Sequence, residues 1–532
     1  HRPAKPLAVM FPQRGNTLLD AVKEELLPTE VESSILSSPE RPIVLCSKLA
    51  SGALAPSIAP GLIEVGAMLP YSPLHHLLLS HFDGPVVVTS GNISGEPVIT
   101  DNDDATQRLD KIADAFLHHN RPILRPADDS LYRVILKQPR PMRLGRGIAP
   151  LEMRLSQPLP KAILAVGGQM KNSIAIAWND RVVISPHIGD LESIRSQQIF
   201  SQLINELQQL YQVEIEEIVC DAHPGYDSHR IAHHIAQPLN LPVTEVLHHH
   251  AHASTLYGER QGEVDWLVFT WDGTGMGADH TLWGGEALVG MPGVWQRFAS
   301  LKTFRLPGGD KAGREPWRSA LALLWERGDA TTMAPLSDWN RSADELKLLH
   351  NAWQRAINTP QTSAAGRLFD AAAALIGLSH QVSYEGEAPS RLEAICQTSI
   401  RSSSSSKSSG KIAPPELPLT EDAEGVWRSD WSPLIQMLLN QKLTQAERAT
   451  MFHHSMVEII VKQAELARKK HQIQHIGLTG GVFQNRVLTE LAAQRLQKLG
   501  FTVHLSIEIP SNDGGLCYGQ IVEAAALIKE RS

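Results

Sequence analysis

Cysteine is scarce in this chain: four in 532 residues, Cys46, Cys220, Cys396 and Cys517, with no C-x-x-C pair among them. Such scarcity fits a reducing cytosol, gives no zinc-ribbon signal, and leaves each thiol as a small buried hydrophobe. Long apolar runs are missing too. The longest, AAAALIGL ending at Leu378, is far shorter than the roughly 18 residues that a membrane span needs, so no membrane partner is expected. The start, HRPAKPLAVM, lacks the apolar core and small-residue cleavage site of a signal peptide, and it opens inside what reads as a motif, so it reads as a truncation. An excess of positive charge is also absent. A net charge of −8 and a pI near 6.3 argue against broad nucleic-acid binding. One local exception runs from Arg121 to Arg146, with seven basic residues against two acidic ones. No G-x-S-x-G elbow occurs, and no cysteine has an evident partner base, so the accepting nucleophile is expected on another molecule.

What remains is ordinary for a soluble protein: 42% hydrophobic and 20% charged residues. The length predicts about three or four domain-sized units and excludes a single small module. RPIVLC, GPVVVTSGNISG, RPILRP and DSLYRVIL read as short buried strands, with SPLHHLLLSHF as a helix between them. Three prolines from Pro150 to Pro160 then predict a linker or crossing segment, with a boundary near Pro158. Two domains follow, 1–157 and 158–532.

The most informative feature is a repeated design. LAVGGQMKNSIAIAW (Leu164 to Trp178) and VFTWDGTGMGADHTLWGGE (Val268 to Glu286) each join two apolar runs through a glycine turn with a polar tip. Glycine lets backbone N–H groups approach a phosphate, so the pair predicts a duplicated phosphate clamp in a nucleotide-using enzyme. From Ala162 a three-strand antiparallel meander is expected, with a turn at Asn179-Asp180, and the same order returns from Trp266. Between them lie the helical SQQIFSQLINELQQLY, the strand IEEIVCDAHP and the histidine-rich HHHAHASTLYG. Two such halves sharing a cleft form a duplicated ribonuclease-H-like ATPase. The tail HIGLTGGVFQN, LTELAAQRLQKLG and FTVHLSI reads as a βαβ unit whose loop lies at a strand C-terminus, where α/β folds bind ligands. The run from Ser399 to Lys411 is low-complexity and is expected to be a mobile surface insertion.

His248 and His252, one helical turn apart, are spaced to hold one divalent metal, and Asp513 in IPSNDGG is a candidate third ligand. A solvated helix face is the alternative for HHHAH. Asp272 could hold a water on the metal or cap the following turn. Lys171, at the tip of the first turn, could contact a phosphate or stand exposed. Gly480 and Gly481 would put backbone against a nucleotide, with Asn485 offering amide hydrogen bonds to ribose or base. In the first domain, Thr89, Ser90, Asn92 and Ser94 could cradle an acyl-phosphate or adenylate, or form a structural turn. Arg143 and Arg146, with Arg2 and Lys5, would supply positive charge to a triphosphate; a solvated basic face is the alternative. DAHPGYDS (Asp221 to Ser228) could assist acyl transfer, or His223 could be an ordinary loop histidine.

These motifs converge on a known combination. KPLAVM, TSGNISGEP, RPILRPADDS and RLGRGIAP resemble the YrdC/Sua-type domain that makes carbamoyl-adenylates. AVGGQMKNS, HHHAH, DGTGMGADHTLWGGE, TGGVFQN and SNDGG resemble the metal-dependent Kae/TsaD-type ATPase domain, of the ASKHA or actin-like class. Fused in this order, with DAHPGY and TLWGGE, they resemble the HypF family of [NiFe]-hydrogenase maturation over nearly the whole chain. The resemblance implies an α/β protein: a YrdC-like domain, then a duplicated ribonuclease-H-like domain. It implies conversion of carbamate, derived from carbamoyl phosphate, to carbamoyl-adenylate with release of pyrophosphate. Transfer to the C-terminal cysteine of HypE would follow, giving a thiocarboxamide, the precursor of the cyanide ligand. By matching motif, Lys5, Ser90, Asn92, Arg143 and Arg146 would bind ATP and carbamate. His248, His252 and Asp513 would hold a divalent metal, Zn, Fe, Mn or Mg. Asp272, Gly273, Gly275, Gly480, Gly481 and Asn485 would surround the second domain's nucleotide. The family's acylphosphatase domain and C-x-x-C motifs have no match in this sequence. The alternative, a threonylcarbamoyl-adenylate synthase fused to a tRNA-modifying partner, shares both folds but requires a broad basic face, which the net charge opposes.

Overall fold

The computed structural model describes residues 4–328, 339–403 and 414–531, which form two compact units. The first comprises residues 1–261 and 506–532, the second 262–505. Among the described residues there are three sheets, and each is built from a contiguous stretch of chain.

The first sheet holds β1 (Ala8–Met10), β2 (Leu26–Leu27), β3 (Ile43–Lys48), β4 (Glu64–Met68), β5 (Val86–Val88), β6 (Leu131–Ile135) and β7 (Gln138–Arg143). Its order is β5-β1-β4-β3-β6-β7, with β2 paired to β3. The expected strands RPIVLC, GPVVV and DSLYRVIL are present, and SPLHHLLLSHF is the helix Pro73–Phe82, capped by Ser72. RPILRP is irregular instead. Proline at 122 and 126 removes the N–H groups that a ladder would need.

The second sheet, also in the first unit, holds β8 (Leu151–Ala165), β9 (Ala175–Ile184), β10 (Glu217–Asp221) and β11 (Val243–Val246) in the order β11-β10-β8-β9. The boundary expected near Pro158 falls inside β8, which is a single strand. Its prolines are tolerated because the β8–β9 register shifts between Arg154 and Leu159 and again between Leu159 and Ile163, so the ladder is interrupted where Pro158 and Pro160 lie. The turn expected at Asn179-Asp180 is also absent. Asn179 takes a left-handed φ of 51° within β9 opposite Leu159, and the meander of three strands becomes one long pair. Alternate residues at the end of β8 face opposite sides: Ile163 and Ala165 pack with Leu516 and Ile521, whereas Leu164, and Val166 just after the strand, pack with Phe200 and Leu207. Burial on both faces explains why these strands read as continuous apolar runs.

The second unit carries β12 (Trp266–Met276), β13 (Leu282–Gly290), β14 (Gln296–Leu301), β15 (Phe304–Arg305), β16 (Gln361–Thr362), β17 (Leu419–Glu421), β18 (Trp427–Ser429), β19 (His475–Thr479) and β20 (Thr502–His504). The main path is β17-β18-β14-β13-β12-β19-β20. Here the meander β12-β13-β14 is antiparallel as expected, and β19 and β20 run parallel to β12. The β13-β12-β19-β20 core repeats the β9-β8-β10-β11 order of the first unit, which is the duplicated ribonuclease-H-like architecture. The helix Arg486–Lys498 joins β19 to β20 and completes the βαβ unit. The serine-rich segment begins inside a helix, Glu387–Ser403, because helical periodicity from Leu392 to Cys396 carries into it; positions 404–413 lie outside the described residues. No helix among the described residues is long and apolar enough to cross a membrane.

Candidate functional site

The histidines sit on the helix His248–Glu259, which starts at the end of β11. This helix packs against the C-terminal helix Leu516–Arg531, and a glycine permits the approach: a Cβ on Gly519 would fall 1.9 Å from the Ala251 carbonyl oxygen. Spacing of four puts His248 and His252 on one face, their rings 5.0 Å apart and each only 1% exposed. Asp513 is delivered by the turn Asp513–Gly515, whose preceding Asn512 accepts from the Gly514 N–H at 2.9 Å. Asp513 Oδ1 lies 3.9 Å from His248 Nε2 and 3.7 Å from His252 Nε2. These separations exceed a hydrogen bond and suit three donors around one cation.

Behind His248 stands Asp221, buried at the end of β10. Its Oδ2 accepts from His248 Nδ1 at 2.7 Å, and its Oδ1 accepts from the His223 N–H at 2.9 Å. A carboxylate on Nδ1 holds the proton there and leaves the Nε2 lone pair for a metal. The donor set therefore fits a divalent cation. DAHPGYDS, whose sequence leaves open both groups assisting acyl transfer and an ordinary loop histidine, supplies this orienting carboxylate, while His223 stacks on Tyr226 at 4.2 Å.

The first glycine turn lies beside this cluster. A Cβ on Gly168 would come within 3.9 Å of Asp513 Oδ2 and 4.0 Å of His248 Cε1. Gly167 exchanges hydrogen bonds with the Gln520 amide, 2.8 Å from its N–H and 3.2 Å to its carbonyl, and Asn172 Nδ2 donates to the Val166 and Gly168 carbonyls. Lys171 takes a left-handed φ of 46° at the tip, its N–H held by Asp190 at 3.0 Å.

In the second unit, Asp272, Gly273 and Gly275 do not form a turn tip. They lie within β12, where the register to β13 shifts between Trp271 and Gly275, and the chain reverses later, where the Gly277 N–H meets the Thr281 carbonyl. An irregularity rather than a hairpin forms because Gly275 and Met276 still pair with Trp283 and Leu282. Asp272 Oδ1 accepts from the Gly273 N–H at 2.7 Å. Gly480 has φ of +98°, and a Cβ there would lie 2.2 Å from the Trp271 carbonyl oxygen; one on Gly481 would lie 2.9 Å from Asp272 Oδ1. The glycine pair is thus required by the close approach of β12 and β19. Asn485 caps the helix Arg486–Lys498 by accepting from the Leu488 N–H at 2.9 Å, and its amide nitrogen reaches His453 Nε2 at 3.0 Å.

Within the first sheet's domain, Thr89, Ser90 and Asn92 follow β5, with Ser90 Oγ donating to Asn92 Oδ1 at 2.6 Å and Asn92 Nδ2 to the Glu96 carbonyl at 2.5 Å. Lys5 is exposed just before β1, and Arg2 lies outside the described residues. Arg143 donates to the Asp129 carbonyl at 2.8 Å. Arg146 bonds Asp129, Glu40 and Arg41 through all three nitrogens and lies 3.4 Å from the Tyr71 ring centre, so it clamps the framework. Sequence reading passed over His187, whose Nδ1 lies 2.8 Å from Asp128 Oδ2. Burial alone would raise the Asp128 carboxyl, but the His187 hydrogen bond and nearby Arg143 outweigh it and bring it down to about 2. Nothing in the local spacing pairs residues 128 and 187.

Three family models match the chain in succession: telomere recombination of the Sua5/YciO/YrdC type over residues 1–145, the HypF Kae1-like domain over 158–259, and the second subdomain of the carbamoyltransferase Kae1-like domain over 268–520. Carbamoyltransferase HypF of Synechocystis sp. is 41% identical over 98% of this chain and 67% of its own length. The chain belongs to the HypF family. HypF of Rhodobacter capsulatus is 36% identical over 99% of this chain and 68% of its own length, so the chain spans about two thirds of these relatives. Among solved structures, full-length HypF in a phosphate- and nucleotide-bound form matches at a TM-score of 0.89 and 33% identity, covering 99% of this chain and 80% of that one. The HypF from T. kodakarensis also matches at 0.89, with 27% identity, covering 99% of this chain and 68% of that one.

Proposed function

We propose that this chain is an ATP-dependent carbamoyltransferase acting in two steps. In the first, a carbamate oxygen attacks the α-phosphorus of ATP, the bond to the β,γ-phosphates breaks, and carbamoyl-adenylate and pyrophosphate form. In the second, the C-terminal cysteine thiolate of HypE attacks the carbamoyl carbon, AMP leaves, and a thiocarboxamide remains. The observation that carries this reading is the Asp221–His248 pair behind the His248, His252 and Asp513 donors, in a chain of the HypF family.

Carbamate is a poor electrophile, and a mixed anhydride with AMP gives it a good leaving group. Lys5, Thr89, Ser90, Asn92 and Arg143, with Arg2, are assigned to ATP and carbamate in the first step. Arg146 holds Asp129 and the Glu40–Arg41 backbone in place around them. His248, His252 and Asp513 would hold a divalent cation, which when bound polarises the group transferred. The Asp221 carboxylate keeps the His248 proton on Nδ1, and the Gly167–Gly168 backbone packs close beside these donors, with Lys171 at the turn. Asp272, Gly273, Gly275, Gly480, Gly481 and Asn485 are assigned to the nucleotide in the second unit. The nucleotide-bound HypF relative supports ATP as the cofactor.

The test is mass spectrometry of small molecules formed from ATP, Mg2+ or Zn2+ and a carbamate source. The chain is incubated alone and with a peptide ending in the acceptor cysteine. Carbamoyl-adenylate and pyrophosphate are expected in the first tube, with AMP and a carbamoylated thiol in the second. ADP and phosphate in their place would sink the adenylation step.

A further inference from the structure

A second cluster of nitrogen and oxygen donors lies apart from the residues assigned to catalysis. The helix Asp227–Leu239 carries His229 and His233 one turn apart, on one face. β11 carries Glu245, placed in register beside Cys220 of β10. Glu245 Oε1 lies 3.4 Å from His233 Nε2 and 3.8 Å from His229 Nε2, and the two imidazole rings are 4.6 Å apart.

Both distances are too long for N–H···O hydrogen bonds. With metal–donor bonds of ~2.0–2.1 Å the edge of a tetrahedral site is about 3.4 Å, which the His233–Glu245 separation equals and the His229–Glu245 separation exceeds by a few tenths of an ångström. The tautomer agrees. His229 Nδ1 lies 2.9 Å from the Asp221 carbonyl oxygen, which can only accept, so the proton sits on Nδ1 and the lone pair on Nε2 points toward Glu245. Access agrees as well, because the His229, His233 and Glu245 side chains are 12%, 46% and 47% exposed, open enough for a hydrated ion to enter and retain water. Cys220 is not counted as a ligand. Its sulfur lies 3.7 Å from the protonated Nδ1 rather than the free Nε2.

We propose that His229 Nε2, His233 Nε2 and the Glu245 carboxylate form a second divalent-cation site, suited to a late first-row ion such as Zn2+, with water in the fourth position. The bound ion ties the helix Asp227–Leu239 to the edge strand β11. It also fixes the His229 ring that holds the Asp221 carbonyl, one residue's main chain away from the carboxylate that orients His248.

The site is tested by stripping the full chain with chelator, titrating Zn2+, and counting bound ions by elemental analysis after equilibrium dialysis. Wild type is expected to hold two ions, His233→Ala and Glu245→Gln one each, and His252→Ala one. Loss of an orienting partner alone costs about 10–100-fold in affinity, so removal of a ligand should weaken this site by at least about 100-fold. His233 and Glu245 are half exposed, so neither change threatens folding. Wild type holding a single ion that vanishes in His252→Ala and persists in His233→Ala and Glu245→Gln would overturn the proposal. An ion lost in His233→Ala with none lost in His252→Ala would support this site while overturning the assignment at the buried one.

Discussion

Asp221→Asn isolates the orienting carboxylate with almost no change in volume. In the native arrangement its two oxygens serve two donors, His248 Nδ1 at 2.7 Å and the His223 N–H at 2.9 Å. Asparagine has one acceptor oxygen and one NH2, so it satisfies only one of them. If the NH2 faces His248, the imidazole must carry its proton on Nε2, and the lone pair directed at Asp513 is lost. If it faces His223, two buried N–H groups oppose each other at a cost of about 1–3 kcal/mol. Both routes weaken a bound cation, and the expected loss is about 10–100-fold in affinity, equivalent to about 1.4–2.7 kcal/mol. The assay is competition for Zn2+ between the full chain and a chromogenic chelator, in a His233→Ala background that removes the surface site. His252→Ala serves as the reference for ligand loss. Affinity within about twofold of the background chain would refute the argument that Asp221 fixes the His248 tautomer.

Gly480→Ala should be severe, since φ of +98° and a Cβ 2.2 Å from the Trp271 carbonyl leave neither backbone freedom nor room; thermal unfolding within about 1 °C of wild type would contradict this. Glu64 and Arg133 form a buried pair at 2.6 Å, each side chain 9% exposed. Glu64→Gln should cost about 3–5 kcal/mol, more than the double change Glu64→Leu with Arg133→Met, and denaturant midpoints of the three variants measure the difference. His453 is fully buried, which drives its imidazole down to about 4 from the ordinary 6.5. Because the unfolded chain then binds more protons between those values, stability should fall as pH drops from about 6.5 toward 4. His453 donates from Nδ1 to the Ala449 carbonyl and accepts at Nε2 from Asn485, so acid should unseat Asn485 too. His453→Gln should flatten that part of the pH–melting curve, and an unchanged slope would count against the assignment.

Sequence by itself determined the class of fold and much of the candidate site, because both depend on local periodicity and short spacings. Apolar runs such as those ending at Ala165 and Thr270 are strands buried on both faces, and the four-residue spacing of His248 and His252 has one geometric meaning once a helix forms. Asp513 was legible from its glycines, since an aspartate followed by two of them suits a tight turn, here Asp513–Gly515. Pro158 and Pro160 lie within β8 rather than in a linker, where register shifts remove the ladder bonds that proline cannot make, and Gly273 and Gly275 lie at an irregularity within β12, before the chain reverses. Tertiary structure alone decided which side chains serve as partners. Asp221 and His248 are 27 residues apart, Asp128 and His187 are 59 apart, and His229 and His233 acquire Glu245 only because β11 lies beside β10. Such pairings follow from strand order and register, which bring distant residues to hydrogen-bonding distance and which no local pattern encodes.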